Sequence, residues 1–411
     1  MSDFTTVKYS RRTPRQNQEP ENAIDITEGL HATPIDALSL PALASIEPHA
    51  PRADIKNVEY VASYNWLPTE DKIIVPGSPA EWKDVPKPFT VEPDEDRISQ
   101  PHMYNILVPV VQAVNHIQAN TTDTSFDWPS IDFITDRNGL RKLMRWIEAD
   151  GRASGPNPYA HQYKNGGFRD FRLDLELINE KTVVIHRWDG QPEYTKAEGQ
   201  KTYGLQFKKV TTQWPEGCEG STGYHRIIKY DFCGLKLLVR FQVDACLPPV
   251  DNHSKDLEDA LAGLNIHTSS SENNTTPTPL TIIPGGTKMP QSSMIEITTR
   301  NAMRIGTMDW RELFIQLYLS ASPHFYLGVH QRGHFTEVYK KNLYEDERFV
   351  KERRGAEASL KKLGKALKRI QELVREHGKG KKLSLVCRKA DGMEALAVYE
   401  QKTEDARVPE T

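Results

Sequence analysis

The chain has 411 residues, with 53 Lys and Arg against 56 Asp and Glu, a formal net charge of -3 and 37% hydrophobic residues. That length leaves room for two or three domains, or for one large domain with insertions. The charge balance excludes a generally basic nucleic-acid-coating protein, so any site for a polyanion has to be local.

Residues 1–55 mix Pro, Ser, Thr, Asn and charges with few aromatics, which predicts a flexible tail that cannot bury enough apolar surface to offset ordering. From Val58 the composition turns globular, with VEYVASYNWL as a strand and IIVPGSPAEW as a loop shaped by Pro and Gly. Leu140, Leu143, Met144 and Ile147 fall at helical spacing. Phe171, Leu173, Leu175 and Leu177 alternate, predicting a strand over 171–178, followed by TVVIHRW over 182–188. HRIIKYDF over 225–232 joins LKLLVRFQVDA over 235–245 through Cys233 and Gly234. Residues 251–293 carry SSSENNTTPTP and predict a disordered insertion. MIEITTR predicts a strand over 294–299, and Trp310, Leu313, Phe314 and Leu317 a helix over 307–320. A long helix from Phe349 to His377 sets Leu360, Leu363, Leu367, Ile370 and Leu373 against a basic side with Lys361, Lys362, Lys365, Lys368 and Arg369. LSLVCR and MEALAVYE flank a turn at Asp391 and Gly392, and 401–411 is a second flexible tail. Residues 56–400 thus read as a single domain of mixed α/β (α+β) class, a two-sheet core with flanking helices.

Cys218, Cys233, Cys246 and Cys387 form no CxxC pair, which excludes a zinc knuckle or redox dithiol and points to a reducing compartment. No apolar stretch has the length of a membrane span or signal peptide, so the expectation is a soluble intracellular protein of nucleus or cytoplasm. GxxxxGK[ST], HExxH, GxSxG and strand-linked GxGxxG are absent, which removes the sequence support for nucleotide triphosphatase, zinc protease, serine hydrolase and dinucleotide enzymes. Nor is there an adjacent Asp pair of the kind that holds magnesium in prenyl-diphosphate sites.

One constellation carries information. On LKLLVRFQVDA, Gln242 and Asp244 share a face with Lys236, Leu238 and Arg240, and on MIEITTR, Glu296 and Thr298 share one opposite Ile295 and Ile297. A strand ending in an acid, then a strand with Glu, is the layout of PD-(D/E)XK nucleases, where carboxylates hold Mg²⁺ or Mn²⁺ and a lysine polarises water or phosphate. By itself the alternation equally describes a solvent-facing strand.

The order of several such pieces resembles the eukaryotic decapping exoribonuclease (DXO-like) family, which includes partners of the nuclear exoribonuclease. DFITDRNGLRKLM is similar to the family's arginine segment opening a helix, with Arg137 at the arginine; TYGLQFKKV is similar to its Gly-hydrophobic-x-hydrophobic-Glu motif. FQVDA resembles the Glu-hydrophobic-Asp strand, IEITTR the Glu-hydrophobic-Lys strand, and RELFIQLYLSASPHFYLGVHQRGHF the helix carrying a glutamine, here Gln316. The resemblance covers roughly Val58 to His334. It implies Asp244, Glu296, Lys208 and Gln316 at catalytic positions, Asp244 and Glu296 as metal ligands, and Arg137, Arg300 and Gln242 against RNA.

Three departures matter. Lys208, Gln242 and Thr298 stand where the family pattern has Glu, Glu and Lys. An ammonium in a ligand position occupies the place of a dication, so Mg²⁺ or Mn²⁺ affinity is expected to be weak or absent. The favoured expectation is a degenerate decapping-nuclease-like protein binding RNA 5′ ends, or a protein partner such as a nuclear exoribonuclease, with no DNA. Lys208 would point from a GLQFK strand, on one face with Gly204 and Gln206, and pair with Asp244 or Glu296. The alternatives are an active Mg- or Mn-dependent RNA 5′-end hydrolase using Asp244, Glu296 and Lys208, and a scaffold or small-molecule enzyme on the same fold.

Overall fold

In a computed structural model the described residues are 25–43, 51–69, 71–95, 107–121, 125–149, 170–188, 201–249, 280–388, 391 and 394–402. Their strands form two sheets. The larger has the order β1 (Asp36–Ser39), β18 (Ala395–Glu400), β17 (Leu383–Cys387), β7 (Phe171–Ile178), β8 (Thr182–Arg187), β6 (Phe133–Asp136), β11 (Leu235–Val243), β10 (Gly223–Phe232), β2 (Ile55–Trp66), β3 (Lys72–Pro76) and β13 (Thr281–Gly285). The smaller runs β5 (Phe89–Thr90), β16 (His334–Asn342), β15 (His324–Gln331), β14 (Met294–Asn301), β12 (Ala245–Cys246), β4 (Glu81–Trp82) and β9 (Thr212–Gln213). The mixed two-sheet class expected from the sequence is the observed one.

The helices are α1 (Leu40–Leu43), α2 (Leu107–Thr121), α3 (Arg137–Ala149), α4 (Gly204–Thr211), α5 (Trp310–Leu319) and α6 (Glu347–His377). One core contains residues of β7, β11, β14 and β15 together with α3, α5 and α6; Leu173, Val239, Phe325, Leu143, Phe314 and Leu367 belong to it. A second core joins α2 to the other face of the larger sheet, and a third joins α4 to the other face of the smaller. Local chemistry explains the strongest elements. β10 and β11 turn through Cys233 and Gly234, both at positive φ (52° and 83°), the conformation that a tight two-residue hairpin requires. Asp309 accepts from the Glu312 N–H at the start of α5, and Asp346 from Arg348 N–H at the start of α6.

The feature that positions the site is a crossover. β11 lies in the larger sheet, parallel to β6, and ends at Val243; two residues later β12 pairs antiparallel with β14 in the smaller sheet, Ala245 opposite Ile295. Asp244 is the residue between.

Three expectations are corrected. Asp25–Leu43 is not a free tail: Asp36 pairs with Val398, and Leu38, Leu40 and Leu43 enter the main core. Four strand residues and three leucines carry no periodic signal of their own and are ordered only by a surface made elsewhere in the chain. The end of the polar insertion likewise forms β13, which lies parallel to β3 and whose neighbour Leu280 is buried in the second core. IIVPGSPAEW, read as loop, contains β3 and β4. The rest of the expected insertion, the N-terminal 24 residues, Gly392 and the end of the chain beyond Lys402 lie outside the described residues.

Candidate functional site

At the crossover the Asp244 carboxylate sits beside β14, one oxygen accepting the Ile297 N–H at 2.8 Å and the other paired with the Lys208 ammonium. The next acid is Glu296, on β14 immediately before Ile297. Glu296 is 8% exposed; it accepts from Arg137 Nη1 at 2.8 Å and from the Gln316 amide. Arg137 opens α3 directly after β6, and Gln316 projects from α5, whose C-terminal Ser320 hydroxyl also accepts from Arg137 at 3.3 Å. The structure thus brings together Arg137, Lys208, Asp244, Glu296 and Gln316. Glu296 pairs with Arg137 rather than forming a surface pair with Arg300.

Lys208 arrives by a different route from the expected one. GLQFK is not a strand but the first turns of α4, so Gly204 and Lys208 share a face one turn apart while Gln206 turns away. Five residues are too few for alternation to separate strand from helix. The decision is made by distant groups: Asp94 accepts the Gln206 N–H at 2.9 Å near the helix start, Phe207 is fully buried in the third core, and Thr211 and Thr212 hydroxyls donate to the Phe207 and Lys208 carbonyls at 2.8 and 2.7 Å. Burial alone would pull the ammonium's pKa down; the attraction of Asp244, with Glu296 behind it, overrides this and holds Lys208 above its ordinary value.

Gln242 and Arg300 make no contact with this cluster. Gln242 is exposed on β11 opposite His225, its amide 3.3 Å from where a Gly223 side chain would begin. Arg300 is half-buried near the end of β14, and Thr298 lies between it and Glu296. Sequence reasoning missed a polar group at the adjoining strand ends. Asp136 accepts the Gly139 N–H at 2.8 Å and lies 3.7 Å from Arg240, which donates to the Tyr64 hydroxyl at 3.2 Å. Burial raises the Tyr64 pKa, so that hydroxyl stays protonated. An acid immediately before a helix is the one local signal that could have found Asp136.

The residues fit a divalent ion poorly. Each carboxylate already meets a cation, and among the described residues no three His, Cys, Asp or Glu side chains converge as a metal group would need. Lys208 and Arg137 neutralise Asp244 and Glu296 one for one. Further down α3 and α5 a second ionic cluster joins the helices: Arg141 and Arg145 to Glu312, and Arg311 to Glu148 and to Glu352 of α6. Among the described residues no helix is long and apolar enough to cross a membrane.

Solved structures share this fold. S. pombe Rai1 superposes with a TM-score of 0.53 at 13% identity, covering 89% of this chain and 99% of that one. Scheffersomyces stipitis Rai1, in complex with (3′-NADP)+ and calcium ion, gives 0.55 at 11%, covering 89% and 91%. Candida albicans Rai1, in complex with pU5-Mn2+, gives 0.55 at 11%, covering 89% and 93%. No curated protein matches the sequence. At these identities the likeness establishes a decapping-nuclease-like fold, as the motif order implied. Residues 50–411 match the family model described as "Domain of unknown function (DUF8563)", and the chain belongs to that family.

Proposed function

We propose that the protein binds RNA 5′ ends without a metal ion and does not hydrolyse them. The observation that carries this reading is that both candidate ligand carboxylates have their own cation, Lys208 on Asp244 and Arg137 on Glu296. A phosphate oxygen approaching the pocket meets an ammonium and a guanidinium, a charge-assisted donor set that recognises phosphate by itself. What these groups do not supply is a dication to lower the pKa of an attacking water. The Rai1 neighbours support a nucleotide or 5′-phosphorylated RNA as the class of ligand, since their complexes contain such molecules.

Calorimetry tests it. In the presence of a chelator, a short 5′-phosphorylated RNA should bind, whereas Mn²⁺ alone should give no site-specific heat. Lys208→Glu, which gathers a third carboxylate beside Asp244 and Glu296, should bring Mn²⁺ binding. Mn²⁺-dependent release of nucleotides from the unmodified protein, lost in Lys208→Ala, would refute this reading in favour of an active hydrolase. Absence of RNA binding would leave a protein partner as the reading to pursue.

A further inference from the structure

Arg300 stands apart from the other arginines near the site. It is half-buried, its Nε is shielded from solvent with no hydrogen-bond partner, and among the described residues it forms no ion pair. Arg137, Arg141, Arg145, Arg311 and Arg353 each meet a carboxylate. A guanidinium held partly out of water without a counter-charge is unfavourable unless something anionic meets it. Strand alternation puts Arg300 on the same face of β14 as Glu296 and Thr298. Four residues of strand separate its Cα from that of Glu296 by roughly 13 Å. Thr298, between them, carries no charge.

We infer that Arg300 is a second phosphate subsite, taking an internal phosphate of a single RNA strand whose 5′ end lies in the Lys208 and Arg137 pocket. This inference rests on the RNA-end reading and deepens it. The separation exceeds one internucleotide step, so the phosphate bound at Arg300 lies beyond the first linkage. A mononucleotide fills only the pocket; a strand of several residues engages both. The site thereby distinguishes an RNA terminus from free nucleotides, which carry the same terminal phosphate.

The test compares a 5′-phosphorylated mononucleotide with a 5′-phosphorylated oligouridylate of about five residues, by fluorescence competition in chelator, for the unmodified protein, Arg300→Gln and Arg300→Lys. The unmodified protein should prefer the oligonucleotide. Arg300→Gln should cut that preference about tenfold, the worth of one charge-assisted contact, and lower the salt slope for the oligonucleotide by about 0.7. Arg300→Lys should recover most of both. An unchanged preference in Arg300→Gln, or a Lys variant that behaves as the Gln variant does, overturns the subsite. If the unmodified protein binds both probes equally, the RNA-end reading stands and the second subsite falls; if it binds neither, both fall.

Discussion

Removing Arg137 tests whether the pocket is built as described. Its side chain is 8% exposed and that of Glu296 10%, so the pair lies almost entirely out of water. Arg137→Met deletes the 2.8 Å contact to Glu296 and the 3.3 Å contact to Ser320, leaving the Glu296 carboxylate with the Gln316 amide as its remaining direct partner. Breaking a buried pair from one side costs about 3–5 kcal/mol, because the other charge stays buried. Glu296→Gln strands Arg137 in the same way. Changing both removes both charges, so the double variant should be more stable than the sum of the single effects implies, with a coupling of roughly 2–3 kcal/mol. Urea unfolding of the four proteins measures this directly, provided the slope with denaturant is unchanged. Single losses below about 1 kcal/mol with no coupling would match a solvent-exposed pair. The neutralised pocket would then be wrong, and the proposed function with it.

Two further outcomes follow from groups that support the site. Burial pushes the Glu148 pKa up to about 7, against the favourable pull of Arg311. Its folded-state value therefore exceeds the unfolded one, and stability should fall as pH rises from about 4.5 to 7, by at most about 3 kcal/mol. Glu148→Gln should flatten that window in thermal unfolding, and an identical pH profile would discount the shift. At Gly328 on β15, an added Cβ would stand 2.7 Å from two Phe207 ring carbons and 3.1 Å from Phe335. Gly328→Ala should cost about 1–3 kcal/mol by overpacking and, by displacing Phe207, weaken RNA binding through Lys208; full stability and affinity together would contradict the tethering of α4.

Much of the fold was legible in the sequence because it is written in local periodicity. Alternation along 171–178, 235–245 and 294–299 and the leucine spacing after Phe349 each report the face an element buries, and the structure uses those faces. The same alternation put Asp244 at the end of one strand and Glu296 inside another, so the two acids could be named before their neighbours were known. Only the tertiary structure decided what those acids meet. GLQFK became a helix through Asp94, more than a hundred residues away, and through Phe207 packing beneath it. Asp36–Ser39 became a strand because Ala395–Glu400 offered an open edge. Glu296 took Arg137 rather than the nearby Arg300 because α3 begins where β6 ends, beside β11 at the crossover. A short segment's own hydrogen bonds and side-chain entropy leave such choices nearly balanced. Contacts with remote residues tip them, and those contacts have no period for a sequence to display.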